Sequence, residues 1–228
     1  MNLFDDILSI IFPQRCHICK GHLGEHEKFI CQKCVDTLPY TMYHRILFNP
    51  VEQRFAGIIR FERATSLLIY TRNSDAAKII HDFKYREFPS LATHMGMIMA
   101  KELYTSGFFN DIDCIIPVPL HFVKRLKRGY NQSRMLAKGV ASVIDCQVAS
   151  NLYARRHHST QTAKNRYERW QNTTDTFSVK RPHQLEGKHI LLIDDVCTTG
   201  ATLIAAAQAI LKIPNTKISI LTLAATPQ

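Results

Sequence analysis

Hydrophobic residues in the first half of the chain recur at the spacing of helix faces. Between residues 74 and 107, apolar positions fall three or four residues apart, which predicts two helices. The first helix is predicted to follow an N-cap at Ser74 and to end near Tyr85. The second is predicted to begin at Pro89 and to end at Gly107.

After residue 111 the pattern changes to short apolar runs that alternate with helical periods. The predicted strands are 112–118, 147–153, 189–193 and 218–223. The predicted helices are 131–144, with Asn131 as its N-cap, and 199–211. This alternation is typical of an α/β fold, a parallel sheet covered by helices on both faces. Residues 40–60 lack such a period and are predicted to be irregular. Ligands of parallel sheets bind outside the carboxyl ends of the strands, which favours the loops after Val118, Tyr153 and Ile193.

Composition supports an ordinary globular protein. The chain has 228 residues, 46% of them hydrophobic and 21% charged, enough for one full domain and a small accessory unit. Residues 1–12 are apolar, but Asp5 and Asp6 stand where a secretory signal carries basic residues, so a short amphipathic helix is predicted. No apolar run approaches the roughly 18 residues of a membrane span. We therefore expect a soluble, cytoplasmic protein.

Four of the seven cysteines form two C-x2-C pairs separated by eleven residues. The four are Cys16, Cys19, Cys31 and Cys34. Two such pairs predict a four-thiolate Zn²⁺ site, which is structural because it leaves no coordination position open. The alternatives are disulfides or ordinary buried thiols, and the odd cysteine total argues against disulfides. Neighbouring histidines that offer a substitute ligand are His17, His22 and His26. We predict a zinc-binding unit at residues 1–40 and a second domain at 41–228.

A doubled acid follows the aliphatic run that begins at Leu191. Asp194 and Asp195 precede a turn of small hydroxylated residues, 198–202, which leads into a helix. Gly200 lets the backbone approach an anion, and the amides of a helix N-terminus favour phosphate. Carboxylates suit sugar hydroxyls, so the stretch predicts a ribose 5-phosphate site. A simple helix cap is the alternative, but a cap leaves the second acid without a reason.

Basic residues are concentrated in one quarter of the chain. Residues 120–170 hold eleven lysines and arginines against two acids, whereas the whole chain carries a net charge of +10. Such a segment attracts polyanions, which include pyrophosphate, nucleic acid and membrane lipid, although a solvated basic face is also compatible. The part that follows Tyr153 has no apolar period, as expected of a lid. Beside the ribose 5-phosphate motif, these charges favour a pyrophosphate.

The motifs together resemble the ComF (GntX) family of phosphoribosyltransferase-like proteins. The matching stretches are the four cysteines, I-P-V-P-L-H at 116–121, R-G-Y-N-Q at 128–132, Gln161 with Arg166, and the segment 190–203. The resemblance covers essentially the whole chain. It implies the type I phosphoribosyltransferase fold, a Mg²⁺-dependent site for phosphoribosyl pyrophosphate, and a link to natural competence and DNA uptake.

The resemblance also implies roles for individual residues. Asp194 and Asp195 would hold the ribose hydroxyls. The 5-phosphate would be bound by Thr198, Thr199, Gly200, Ala201 and Thr202. The pyrophosphate and its metal would face Val118, Pro119, Leu120 and His121. The flexible lid would carry Arg155, Arg156, Gln161 and Arg166.

Two functional hypotheses follow. In the first, the protein is a phosphoribosyltransferase whose acceptor is unknown, because no residue identifies an acceptor base. In the second, it is a non-catalytic module of the competence machinery that binds single-stranded DNA and keeps the phosphoribosyl pyrophosphate site as a vestigial or regulatory feature. Competence proteins are further expected partners.

Overall fold

The fold is built on a four-stranded parallel sheet. The computed structural model describes residues 14–85, 88–120, 126, 128–154 and 176–227. Within these ranges the strands of the sheet are β1 (Arg63–Ile69), β2 (Cys114–Pro117), β5 (His189–Cys197) and β6 (Lys217–Ala225), in the order β1-β6-β5-β2. The short strands β3 (Leu152–Ala154) and β4 (Phe177–Val179) form a separate antiparallel pair.

Helices flank the sheet. Those described are α1 (Gln32–Asp36), α2 (Pro50–Gln53), α3 (Asp75–Tyr85), α4 (Pro89–Leu103), α5 (Gln132–Ile144) and α6 (Ala201–Ile210). Two predicted N-caps are present: the Ser74 hydroxyl accepts a bond from the Ala77 amide at 3.2 Å, and the Asn131 side chain accepts one from the Ser133 amide at 3.1 Å. Each cap satisfies an amide that has no partner within its helix.

Both faces of the sheet are buried, which explains the nearly uniform aliphatic character of β5. Leu191 and Ile193 point into a core shared with α3, α4, α5 and the four-cysteine unit. Ile190 and Leu192 point the opposite way, into a core shared with α6, α2 and the β3–β4 pair. Successive side chains of a strand alternate between faces, so a strand covered on both sides is apolar throughout.

Three details differ from the sequence-based prediction. Strand β1 was not predicted, because its centre holds two polar residues, Thr65 and Ser66, which are nevertheless buried. The predicted strand 147–153 is divided: residue 148 forms a bridge to β2, and the chain then turns away into β3. Residues 50–53, predicted to be irregular, form α2 behind an Asn49 capping box.

Strand β5 also continues past its predicted end at Ile193. Asp194, Val196 and Cys197 keep the parallel register with β6, where Asp194 lies opposite Thr222. The acid pair therefore lies in the carboxyl-terminal half of the strand, on backbone that is paired with β6. None of the described helices has the length and apolar character that a membrane span requires.

Candidate functional site

The acid pair lies where three elements meet. Asp194 Oδ1 accepts hydrogen bonds from the Ser133 hydroxyl and from the Asp195 amide, both at 2.8 Å. Asp195 Oδ2 lies 2.8 Å from the Lys84 ammonium nitrogen. Ser133 belongs to the first turn of α5 and Lys84 to the last turn of α3. Two helices thus hold the two carboxylates of β5 from separate directions.

The environment of Asp194 opposes its ionisation. Burial, followed by the neighbouring charge of Asp195, raises the pKa of Asp194 from 3.8 to about 7. The hydrogen bonds from Ser133 and from the Asp195 amide, with the charge of Lys84, offset part of this rise. The protonated form of Asp194 is therefore favoured more than that of an ordinary carboxyl group.

The predicted phosphate turn joins β5 to α6. Thr198, Thr199 and Thr202 are exposed, whereas Gly200 is buried with a φ of +80°. A Cβ atom at Gly200 would lie 3.0 Å from Phe55 Cε1, so glycine is required there both for its backbone conformation and for space. The turn therefore presents hydroxyls and the N-terminus of a ten-residue helix to solvent.

Arg54, at the end of α2, clamps this turn from behind. Its guanidinium donates to the Cys197 carbonyl at 2.8 Å and also to the carbonyls of Thr198 and Thr226. A guanidinium offers five donors in a fixed plane, so one side chain connects the end of β5 with the end of β6. No pattern in the sequence marked Arg54, because it lies far from the motif that it supports.

A cavity of about 360 Å³ lies at this end of the sheet. Of the predicted site residues, its wall includes Asp194, Asp195, Ala201, Thr202, Val118, Pro119 and Leu120. It also includes two cations, Lys84 and Arg128. Lys84 was not among the predicted site residues, since it stands in an ordinary amphipathic helix. Outside the described residues lie His121, Arg155, Arg156, Gln161 and Arg166.

The four N-terminal cysteines form a second site. Their sulfurs lie within 4.8 Å of one another, and the Sγ atoms of Cys19 and Cys31 are 3.8 Å apart. A tetrahedral ion with 2.3 Å bonds to sulfur separates its ligands by about 3.8 Å, so the spacing fits Zn²⁺. Burial opposes ionisation of Cys16, but amide donors, including those of Cys31 and Ile18 at 3.4 Å, lower its pKa to about 7.

Comparison with known proteins shows a matching domain and several relatives. Residues 130–228 match the model of the phosphoribosyl transferase domain. The chain is 28% identical over 206 residues to the DNA utilization protein YhgH of Escherichia coli O157:H7, covering 86% of this chain and 84% of the relative. It is 28% identical over 206 residues to Competence protein ComFC of Bacillus subtilis, covering 86% and 78%. Competence protein F of Haemophilus influenzae is 23% identical over 202 residues, covering 84% and 88%.

These relatives and the domain match support the predicted ComF family of type I phosphoribosyltransferase-like proteins. The predicted family and fold class are thereby confirmed. Among solved structures, glutamine phosphoribosylpyrophosphate amidotransferase from B. subtilis has a TM-score of 0.45 and 16% identity, over 62% of this chain and 30% of that chain. The domain match begins at Tyr130, so Lys84, Arg54 and the four cysteines come from outside the matched region.

Proposed function

We propose that this protein binds phosphoribosyl pyrophosphate together with Mg²⁺ and acts as a phosphoribosyltransferase on an acceptor still to be identified. The observation that carries the proposal is the joint placement of an acid pair and an exposed phosphate turn on one strand-to-helix junction, beside a cavity with two cations. The relatives named for competence and DNA utilization support a further link to DNA uptake.

Each part of the ligand has a complementary group. The carboxylates of Asp194 and Asp195 accept hydrogen bonds from the ribose hydroxyls. The amides and hydroxyls of residues 198–202 donate to the 5-phosphate. Lys84 and Arg128 line the same cavity and supply positive charge for the pyrophosphate. Residues 118–120 also line this cavity.

The donor set fits the metal ions that the family implies. Mg²⁺ prefers oxygen ligands, and the acid pair offers carboxylates at the same cavity, so Asp194 and Asp195 would hold it with the substrate. When bound, the ion offsets the charge of the departing pyrophosphate. For the N-terminal site we propose a structural Zn²⁺ held by the four cysteines. The unit at 1–40, the domain at 41–228 and a cytoplasmic location stay predictions.

Catalysis by this site would rest on positioning and electrostatics. The bond between ribose C1 and pyrophosphate breaks, the ribosyl group gains positive charge, and the acceptor then bonds to C1. The residues described here hold the ribose and phosphate in place, and their cations stabilise the charge that develops on the pyrophosphate. The acceptor nucleophile is the component that the site does not identify.

Calorimetry with phosphoribosyl pyrophosphate and Mg²⁺ tests the proposal. We expect the double variant Asp194→Asn, Asp195→Asn to lose binding while its circular dichroism stays unchanged. The matched control is Glu25→Gln with Glu186→Gln, which makes the same change of charge on two exposed side chains. Unchanged affinity in the acid-pair variant would refute the assignment. A screen for pyrophosphate release across bases, amines and nucleic acids then searches for the acceptor.

A second candidate function is binding of single-stranded DNA. Tyr153 is 38% exposed, and the Lys180 ammonium lies 5.0 Å from the centre of its ring. The same tyrosine lines a cavity of about 650 Å³ next to Arg134. An exposed ring flanked by cations is suited to stacking a base beside a phosphate. Oligonucleotide binding that weakens steeply with salt and with Tyr153→Ala supports this function, whereas no binding at low salt excludes it.

A further inference from the structure

The last turn of α3 connects the four-cysteine unit with the acid pair. On its one side, Asp82 Oδ2 lies 2.8 Å from Nδ1 of His17, in the first cysteine loop. On its other side, Lys84 lies 2.8 Å from Asp195. Two positions along a helix differ by about 200°, so Asp82 and Lys84 project from opposite faces of the same turn. The short helical segment thus lies between the two sites and contacts both.

His17 is itself fixed by the cysteine unit. It follows Cys16 directly, and its amide donates to the Phe29 carbonyl at 2.8 Å. Its ring packs edge-on against Phe88, with 4.8 Å between ring centres. The side chains of His17 and Asp82 are only 14% and 7% exposed, so the contact between them is shielded from solvent. A buried bond of this kind restrains its partners more strongly than one on the surface.

The turn is also held by the loop in front of α5. The Tyr130 hydroxyl donates to the carbonyl of Phe83, the residue between Asp82 and Lys84, and the Phe83 side chain is fully buried. Three successive residues of this turn are therefore each fixed by a different neighbour. A shift on the side of Asp82 would move the Lys84 ammonium relative to Asp195.

We propose that His17 and Asp82 are positioning residues for the acid-pair site, so that the folded four-cysteine unit sets the place of Lys84 against Asp195. The inference rests on the proposed function, because its first measurement is the affinity for phosphoribosyl pyrophosphate. The N-terminal unit would thus contribute to ligand binding, although none of its described residues lines the acid-pair cavity. Coupling of this kind is reciprocal, so occupation of the acid-pair site also stabilises the cysteine unit.

A double-mutant cycle tests the coupling. The variants are His17→Phe, Lys84→Met and their combination, studied by calorimetry with phosphoribosyl pyrophosphate and Mg²⁺. We expect His17→Phe to weaken binding about five- to tenfold while one zinc per chain is retained, and to weaken it less than about twofold further when Lys84 is already replaced. If His17→Phe lowers the affinity by the same factor in the wild-type and the Lys84→Met protein, the effect is merely structural and the proposal is overturned.

Two further variants test whether the effect comes from the lost hydrogen bond of His17 or from the introduction of a phenylalanine. His17→Asn places an amide nitrogen near the position of Nδ1 and is expected to keep most of the affinity. His26→Phe makes the same substitution on an exposed side chain of the same unit and is expected to change nothing. If His17→Phe fails to hold zinc, Asp82→Asn takes its place in the cycle, because it leaves the cysteine unit unaltered, with an expected loss of about threefold.

Hydrogen exchange without ligand separates this proposal from the proposed function. Amides at residues 194–197 should exchange about fivefold faster in His17→Phe than in the wild type, and equally fast in wild type and His26→Phe. If the wild type fails to bind phosphoribosyl pyrophosphate, the proposed function fails, and the exchange rates alone still decide the coupling. Unchanged exchange at these amides in His17→Phe overturns the coupling whatever the ligand.

Discussion

The Ser133 hydroxyl lies 2.8 Å from Oδ1 of Asp194 and joins the start of α5 to the end of β5. With the equally short bond from the Asp195 amide, it offsets part of the burial and charge repulsion that raise the pKa of this carboxyl group to about 7. A partly buried carboxylate with these two donors and a second carboxylate beside it is destabilising in the ligand-free protein. Ribose hydroxyls would donate further hydrogen bonds to these carboxylates, so the unfavourable charge of the ligand-free site would favour ligand binding.

The first prediction concerns the pH dependence of stability. Because the pKa of Asp194 is higher in the folded state than its ordinary value of 3.8, the folded protein binds the extra proton between these values. The resulting stabilisation is complete below about pH 4 and is lost as the pH rises through about 7. The side chain in Asp194→Asn stays neutral at every pH, so the variant does not lose this stabilisation. Its free energy of unfolding at pH 8 should exceed that of the wild type by about 1–2 kcal/mol.

Urea unfolding at pH 5 and pH 8 measures this difference. The gain of Asp194→Asn over the wild type should be smaller at pH 5 than at pH 8, while the exposed change Glu186→Gln should alter stability little at either pH. A variant less stable than the wild type at pH 8 would contradict the prediction.

The second prediction concerns the clamp behind the phosphate turn. Arg54→Met removes the donors to the carbonyls of Cys197, Thr198 and Thr226 but keeps much of the apolar stem. The turn then loses its alignment, and we expect the affinity for phosphoribosyl pyrophosphate to fall about tenfold. Arg45→Met is the matched control, because the Arg45 side chain is 65% exposed. Equal affinities of the two variants in calorimetry would show that the clamp does not position the turn.

Local sequence signals predicted the parts of the site that lie on one strand and its following turn. The aliphatic run of β5, the doubled acid and the glycine at residue 200 stand next to one another in sequence, and each has a local physical reason. Arg54 and Lys84 reach the same place from elements more than a hundred residues earlier, and neither stands in a distinctive pattern. Contacts of this kind depend on how α2 and α3 pack, which periodicity alone does not specify.

Long-range contacts also explain why strand β1 was not predicted. Strand β1 is held by pairing with β6, the last strand of the chain, and by residues 39–41 along its outer edge. These long-range bonds bury Thr65 and Ser66, two polar residues that local periodicity does not place in a core strand. Helix caps were predicted correctly, since Ser74 and Asn131 act on amides two or three residues away.

The third prediction concerns the crossing of α4 and α5. A Cβ atom at Gly139 would lie 2.0 Å from the Thr93 carbonyl oxygen and 2.9 Å from Gly96 Cα, so the two helix backbones touch. Gly139→Ala forces the helices apart and should cost about 3 kcal/mol of unfolding free energy, measured with urea. The control Gly187→Ala has a positive φ and no atom within 4 Å of the added Cβ, and should cost about 1 kcal/mol. Similar decreases in the free energy of unfolding in both variants would contradict the close crossing of the two helices.

The last prediction concerns the metal of the cysteine unit. Cys16, Ile18, Ile30 and Leu38 of this unit are buried in the same core as α3 and α4, so loss of the ion should loosen that core as well as the unit. Cys19→Ser removes one ligand without disturbing the core, because Cys19 is exposed. We expect its zinc content to fall well below one per chain and its melting temperature to fall by several degrees, roughly the effect of 1–2 kcal/mol. Cys146→Ser, outside the cluster, should retain the metal; zinc loss to the same extent in both variants, or a wild type without zinc, would refute the assignment.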